Sequence, residues 1–223
     1  ALPSAFNVTG GGGYCVGAAG VHVGLSFSNS GVSYKLYNGG TLVATVGGSN
    51  SGLDFGLQSA TGTYTAVAVN SSTGCTNNMT GSANVSVNAL PNVYSVTGGG
   101  NYCPGGAGVH VGLTGSELSA NYQLYVGGLP IGAAVTGTGG VLDFGSQIAT
   151  GAYTVVATNS TTGCTSYMTG SVNVGFNSVP SAYNVNAGGS YCIGGSGVSV
   201  ALDGSDAGVN YQVYLSGVPS GAS

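Results

Sequence analysis

An all-β chain folded as tandem antiparallel sandwiches is the fold class this sequence predicts, and three observations carry that prediction. Short runs of residues alternate between apolar and polar with a period of two, and no stretch shows the 3.6-residue period of an amphipathic helix. Glycine-rich turns separate those runs, with 45 glycines among 223 residues. The whole pattern then repeats at about 89-residue intervals, with prolines at positions 3, 91 and 180 marking where each copy starts.

Within one copy the elements follow in order. After the proline comes an extended run with an aromatic (Phe6, Tyr94, Tyr183), then a glycine cluster ending at Tyr14-Cys15, Tyr102-Cys103 and Tyr191-Cys192. Val21-His-Val-Gly-Leu25 and Val109-His-Val-Gly-Leu113 are each expected to turn valine and leucine toward one core, and Val198-Ser-Val-Ala-Leu202 takes their place in the third copy. Tyr34-Lys-Leu-Tyr37, Tyr122-Gln-Leu-Tyr125 and Tyr211-Gln-Val-Tyr214 meet that core from the facing sheet. Two copies continue through Leu53-Asp-Phe-Gly56 and Leu142-Asp-Phe-Gly145. They end in Gly62-Thr-Tyr-Thr-Ala-Val-Ala-Val-Asn70 and Gly151-Ala-Tyr-Thr-Val-Val-Ala-Thr-Asn159. A tyrosine opening the penultimate strand and locking the corner before it is an immunoglobulin-like feature.

The expected strands of the first copy lie near 5–9, 20–27, 32–38, 41–46, 52–57, 62–69 and 82–88, about seven per repeat. The expected domains are immunoglobulin-like repeats over 1–89 and 90–178, and the N-terminal half of a third over 179–223. Proline in each short linker fixes φ and donates to no ladder, so it punctuates the repeats and makes a semi-rigid rod the expectation.

Composition excludes several classes of function. Charged residues make up 3% of the chain against about a quarter in a typical soluble domain. Lys35 is the single Lys or Arg and the net charge is −4, so a phosphate-binding nucleic-acid surface and a polybasic membrane patch are both ruled out. No apolar run is long enough for a membrane-spanning helix. The 14 tyrosines and abundant Val and Thr argue against low-complexity disorder.

Five cysteines remain. Cys15 and Cys75 stand about 60 residues apart, as do Cys103 and Cys164, each in the same local context. A disulfide inside each repeat is the economical reading and implies an oxidising compartment. Closing such a loop stabilises by roughly 4 kcal/mol in the chain-entropy picture. Metal binding is the alternative, but no C-x-x-C occurs and histidines are sparse. Cys192 is left unpaired in this segment.

The combination Tyr-x-Val-x-Gly-Gly-Gly-x-Tyr-Cys (Tyr94–Cys103; Phe6–Cys15 with Phe first), Gly-Val-x-Val-x-Leu, Tyr-x-Leu, Gly-x-Tyr-Thr and Thr-Gly-Cys-Thr resembles a known group. These are the tandem immunoglobulin-like repeats of large secreted surface proteins and adhesins of Bacteroidota-type bacteria, type IX-secreted or gliding-motility-associated. The resemblance covers essentially the whole chain and implies stalks, adhesins or fibre subunits at the cell surface or outside the cell.

Other constellations read as structure. His22 and His110 are equivalent but lie in separate repeats, and Ser199 replaces them in the third, so solvent-facing strand positions are expected. Asp54-Phe-Gly and Asp143-Phe-Gly lack the loops of a kinase and read as a strand edge with Phe inward. Asp203-Gly-Ser-Asp206 reads as a turn rather than a calcium loop. Gly10–Gly13 and Gly98–Gly100 precede strands and carry no Lys-Ser/Thr, so they are loops and not phosphate cradles. Lys35 gives way to Gln123 and Gln212, which disfavours an isopeptide crosslink. Sequons at Asn7, Asn70, Asn78, Asn84 and Asn159 permit glycosylation without implying it.

No catalytic constellation and no cofactor motif is present, so an enzyme is not expected. The leading expectation is a structural segment of an extracellular filament or surface adhesin whose partners are copies of itself and further repeats of the same chain. The alternative is a module that binds surface glycans or carbohydrate through the aromatics Tyr37, Tyr125 and Tyr214. The first residues match the inter-repeat linker and the third repeat stops about halfway, so both ends are expected to be cuts through a longer array. A surface with so little charge lacks what normally keeps β-proteins apart, which favours association.

Overall fold

The computed structural model describes residues 1–221, which leaves Ala222 and Ser223, the last two positions of the third repeat, outside the described residues. No helix occurs among the described residues; two successive sandwiches of immunoglobulin-like architecture, antiparallel but for one parallel strand pair in each, are followed by shorter ladders.

The first sandwich contains β1 (Val8–Gly10), β2 (Gly12–Cys15), β3 (Val21–Leu25), β4 (Val32–Asn38), β5 (Thr41–Gly47), β6 (Leu53–Gln58), β7 (Gly62–Asn70), β8 (Thr76–Asn78) and β9 (Ala83–Asn88). One sheet runs β1-β3-β6 and the other β2-β9-β7-β4-β5, with β8 added to β7. The second sandwich repeats this order with β10 (Val96–Gly98), β11 (Gly100–Tyr102), β12 (Val109–Leu113), β13 (Ala120–Val126), β14 (Leu129–Thr136), β15 (Leu142–Gln147), β16 (Gly151–Asn159), β17 (Thr165–Tyr167) and β18 (Val172–Phe176). Beyond it lie two separate two-stranded ladders, β19 (Val185–Ala187) with β20 (Val200–Leu202), and β21 (Val213–Leu215) with β22 (Val218–Ser220).

Alternation decides what is buried. Val23 and Leu25 from β3 and Leu53 and Phe55 from β6 face Tyr34, Leu36, Tyr64, Ala66 and Ala68 of the other sheet, all buried. Val111, Leu113, Tyr122, Leu124, Tyr153, Val155 and Ala157 do the same in the second sandwich. Each buried tyrosine needs a partner for its hydroxyl. Tyr34 accepts the N–H of Asn29 at 2.9 Å and Tyr122 that of Glu117 at 2.8 Å; the half-buried Tyr211 accepts that of Asp206 at 2.9 Å in the same way.

Nine strands per complete sandwich exceed the seven expected, and both additions have local causes. The glycine cluster divides the first strand into two. Gly10, Gly11 and Gly12 have φ of 83°, 76° and 120°, a run in which only glycine is at ease. There the chain leaves β3, its partner in one sheet, and pairs in parallel with β9 in the other. A Cβ on Gly10 would strike the His22 carbonyl, and one on Gly11 would crowd the carbonyl of Asn84. The second addition, β8, is three residues long and polar, so its sequence carries no alternation signal.

Candidate functional site

The cysteines define the feature with the clearest consequence. Cys15 ends β2 beside Asn88, the last residue of β9, whereas Val85 of β9 is already opposite Gly62 at the start of β7. Cys75 lies past the other end of β7, its carbonyl accepting the N–H of Asn70 at 2.9 Å. Eight residue steps of strand separate the two ends, about 26 Å at strand rise, whereas a disulfide needs Cα atoms within about 7 Å. Cys15 and Cys75 therefore occupy opposite poles of one sandwich, as do Cys103 and Cys164 of the next. The expected bonds Cys15–Cys75 and Cys103–Cys164 do not form.

Instead Cys15 is bonded to Cys164, with Cα atoms 5.6 Å apart and 149 residues of separation. The bond joins the pole where the chain leaves the first sandwich to the near pole of the second. Cys164 is 1% exposed, while its counterpart Cys75 is exposed and free, as are Cys103 and Cys192.

Both poles are built by the local sequence. At the turn pole the Asn70 side chain accepts the N–H groups of Ser72 and Thr73 at 3.0 Å, and Asn159 accepts those of Thr161 and Thr162 at 3.0 Å. This Asx turn aims the following cysteine outward. At the strand-end pole the carbonyls of Cys15, Cys103 and Cys192 accept the N–H of Ala18, Gly106 and Gly195 at 3.0, 2.9 and 2.9 Å. The linker is fastened as well. Asn77 donates to the Pro3 carbonyl at 2.7 Å and Ser166 to the Pro91 carbonyl at 2.8 Å, and both prolines are buried.

The remaining candidates are placed as follows. His22 and His110 are exposed and contact Asp54 and Asp143 through Nδ1 at 2.6 and 2.8 Å. The other carboxylate oxygen accepts the N–H of Gly56 or Gly145 at 2.8 Å, so Asp-Phe-Gly is a bulge with a glycine at φ 83° or 76°. The N–H of Gly145 chiefly, and His110 in addition, hold the Asp143 carboxyl below the usual range against the opposing effect of burial. Phe55 is buried and Phe144 half-buried.

Asp203 accepts the backbone and side-chain N–H of Asn184 at 2.8 and 2.7 Å. Asp206 accepts the N–H of Ser181 at 2.6 Å and the hydroxyl of Tyr183 at 2.7 Å, which hold its carboxyl low. These carboxylates tie down the start of the repeat. Among the described residues no three metal-ligating side chains cluster.

Tyr37 and Tyr125 are half-buried and Tyr214 is 61% exposed. Tyr125 shares a shallow depression of about 380 Å³ with Gly128, Thr154, Val156, Thr165 and Tyr167 on the outer face of the second sandwich. Tyr167 was not singled out from sequence, because the first repeat has Asn78 in its place. A more apolar groove of about 450 Å³ in the third repeat is lined by Val185, Val200, Leu202, Tyr211 and Val213. In the first repeat the matching residues Val8, Val23, Leu25, Tyr34 and Leu36 pack in the core.

No protein-family model matches the chain, and no curated relative does. Among solved structures, the fibronectin(III)-like modules of Clostridium thermocellum CbhA are 16% identical with a TM-score of 0.43, covering 76% of this chain and 94% of theirs. Murine CEACAM1b is 11% identical at 0.39, covering 77% and 99%. A Bacteroides ovatus SGBP-B in complex with a mixed-linkage heptasaccharide is 16% identical at 0.26, covering 78% and 45%. At these identities and scores the likenesses carry nothing about ligand or partner.

Proposed function

We propose that this chain is a structural segment of an extracellular rod, filament or surface adhesin, of the kind found in the secreted repeat proteins of Bacteroidota-type bacteria. The observation that carries the reading is the Cys15–Cys164 bond, which spans two repeats and staples the linker side of one to the next. A disulfide that spends its constraint between domains adds little to either core but restricts bending between them. Restricted bending suits a load-bearing rod. The short proline linker, the bonded cysteines and the scarcity of charge also fit life in an oxidising, extracellular setting, with further repeats and copies of the chain as partners.

The test is small-angle scattering of the chain with the bond intact and after reduction. A single elongated particle is expected when oxidised, and a broader distribution of end-to-end lengths when reduced. An identical profile in both states would remove the support for the rod.

A second reading rests on the Tyr125–Tyr167 depression, where two aromatics and the hydroxyls of Thr154 and Thr165 offer a platform for a sugar ring. Titration with soluble glucans against the native chain and its Tyr167→Ala variant tests it. Binding lost in the variant supports glycan recognition, and no binding by either removes it.

A further inference from the structure

Tension on a folded chain follows its covalent connections, and the Cys15–Cys164 bond gives this chain a second route. By the backbone alone, load on the first sandwich enters through β1 and β2 and leaves through β9. These last two strands are parallel neighbours, with Cys15 opposite Asn88, so pulling the start of one against the end of the other shears their ladder. The second sandwich is built alike, with β11 parallel to β18 and Tyr102 opposite Phe176. A sandwich pulled in this way opens by losing that pair.

The staple takes the load off both pairs. Cys15 is the last residue of β2, so tension that has travelled along β1 and β2 crosses to Cys164 without passing into β9. Residues 3–15 already run from pole to pole. Asn77 of β8 holds the Pro3 carbonyl at the turn pole, at 2.7 Å, and Cys15 ends beside Asn88 at the other. Beyond the bond the load enters at Cys164 and follows β17 and β18. Both strands are antiparallel to β16, with Thr165 opposite Thr158 and Val174 opposite Gly151, so this stretch also crosses its sandwich from pole to pole. The load leaves past Phe176 with β11 bearing none of it.

We propose that Cys15–Cys164 is a tension bypass. Load applied between the ends of the chain is carried by residues 1–15, the disulfide and the residues from 164 onward, while residues 16–163 stay slack and folded. The purpose of such a device rests on the rod reading, and it adds resistance to extension to the restricted bending already described. Bending and extension are separate properties, and each is measured without the other.

The experiment holds single molecules of the full chain by handles at the two ends under constant force, beside the Cys15→Ser variant. The bond spans 149 residues and withholds about 500 Å of stretchable chain at roughly 3.4 Å per residue. At forces that unfold the sandwiches of Cys15→Ser one after the other, the native chain is expected to withhold that length. A phosphine reductant then cuts the bond. Where residues 16–163 are still folded, cleavage is followed by two separate unfolding steps with the waiting times of the variant. Release of the whole length in one step at cleavage would show that the sandwiches had already opened. Native and variant chains that extend alike would show that the bond carries no load. Either result overturns the proposal. Scattering of the unloaded chain reads the rod by itself: a chain that bends freely yet withholds the length under force defeats the rod reading alone, and a stiff chain that yields the length defeats the bypass alone.

Discussion

Tyr64 donates its hydroxyl to the carbonyl of Ala60 at 2.8 Å, closing the corner through which the chain enters β7. Tyr153 does the same to Ala149 at 2.7 Å before β16. Both rings are buried, so the bond satisfies a phenol that could not otherwise reach a partner while fixing the entry of the longest strand in each sandwich. Tyr64→Phe and Tyr153→Phe keep the ring and lose the bond. Each is expected to cost about 1–2 kcal/mol, read as a lowered midpoint in denaturant unfolding.

The sheet switch at Gly10 and Gly98 permits no side chain. Both have positive φ, 83° and 88°, and a Cβ on either would meet the backbone carbonyl of His22 or His110. Gly10→Ala should cost more than the roughly 1–2 kcal/mol of left-handed strain alone, because the obstructing atom is backbone and cannot swing away. Gly17→Ala, at φ 88° with open space around it, should cost no more than the strain. Equal losses at the two sites in thermal unfolding would contradict this account.

Stability should fall at alkaline pH. Burial pushes the phenols of Tyr122 and Tyr153 above their ordinary value of 10.0. A group whose pKa is raised by folding contributes stability that is whole below the unfolded value and is lost as pH rises through the folded one. Denaturant midpoints of the second sandwich should hold steady to about pH 10 and decline above it.

At the acid end, Asp143 titrates with the opposite sign. Its carboxyl is held below the ordinary range in the fold, so its contribution is present above the ordinary carboxylate pKa and is lost as pH falls through the folded value. The group is largely exposed, so Asp143→Asn should cost under about 1 kcal/mol at neutral pH. The difference from the native chain should vanish in strong acid, as followed by urea unfolding at a series of pH values.

Cys15→Ser removes the staple without touching either core. Each sandwich should keep its own unfolding midpoint to within about 0.5 kcal/mol, as expected of a substitution away from the core. Amide exchange in the linker around Asn88–Pro91 should become faster. Collapse of the first sandwich in this variant would show that the bond supports a fold rather than a junction.

Much of this protein was legible in its sequence, because the determinants are local. Period-two alternation placed Val23, Leu25, Tyr34 and Leu36 inward and His22 outward, since a strand has only two faces and one of them is wet. The corner role of Tyr64 followed from its place at the head of a strand. The inward Phe of Asp-Phe-Gly followed from the same alternation. Tertiary structure alone decided the rest. Cys15 and Cys75 share a repeat and a sequence context with their counterparts, yet nothing local says which pole of the sandwich each occupies. That depends on β2 lying parallel to β9, a pairing reached only because three glycines carry the chain from one sheet to the other. Disulfide pairing is a matter of distance across the assembled fold. Here the poles of one sandwich are held a full strand apart, while the pole of the next is brought within 5.6 Å.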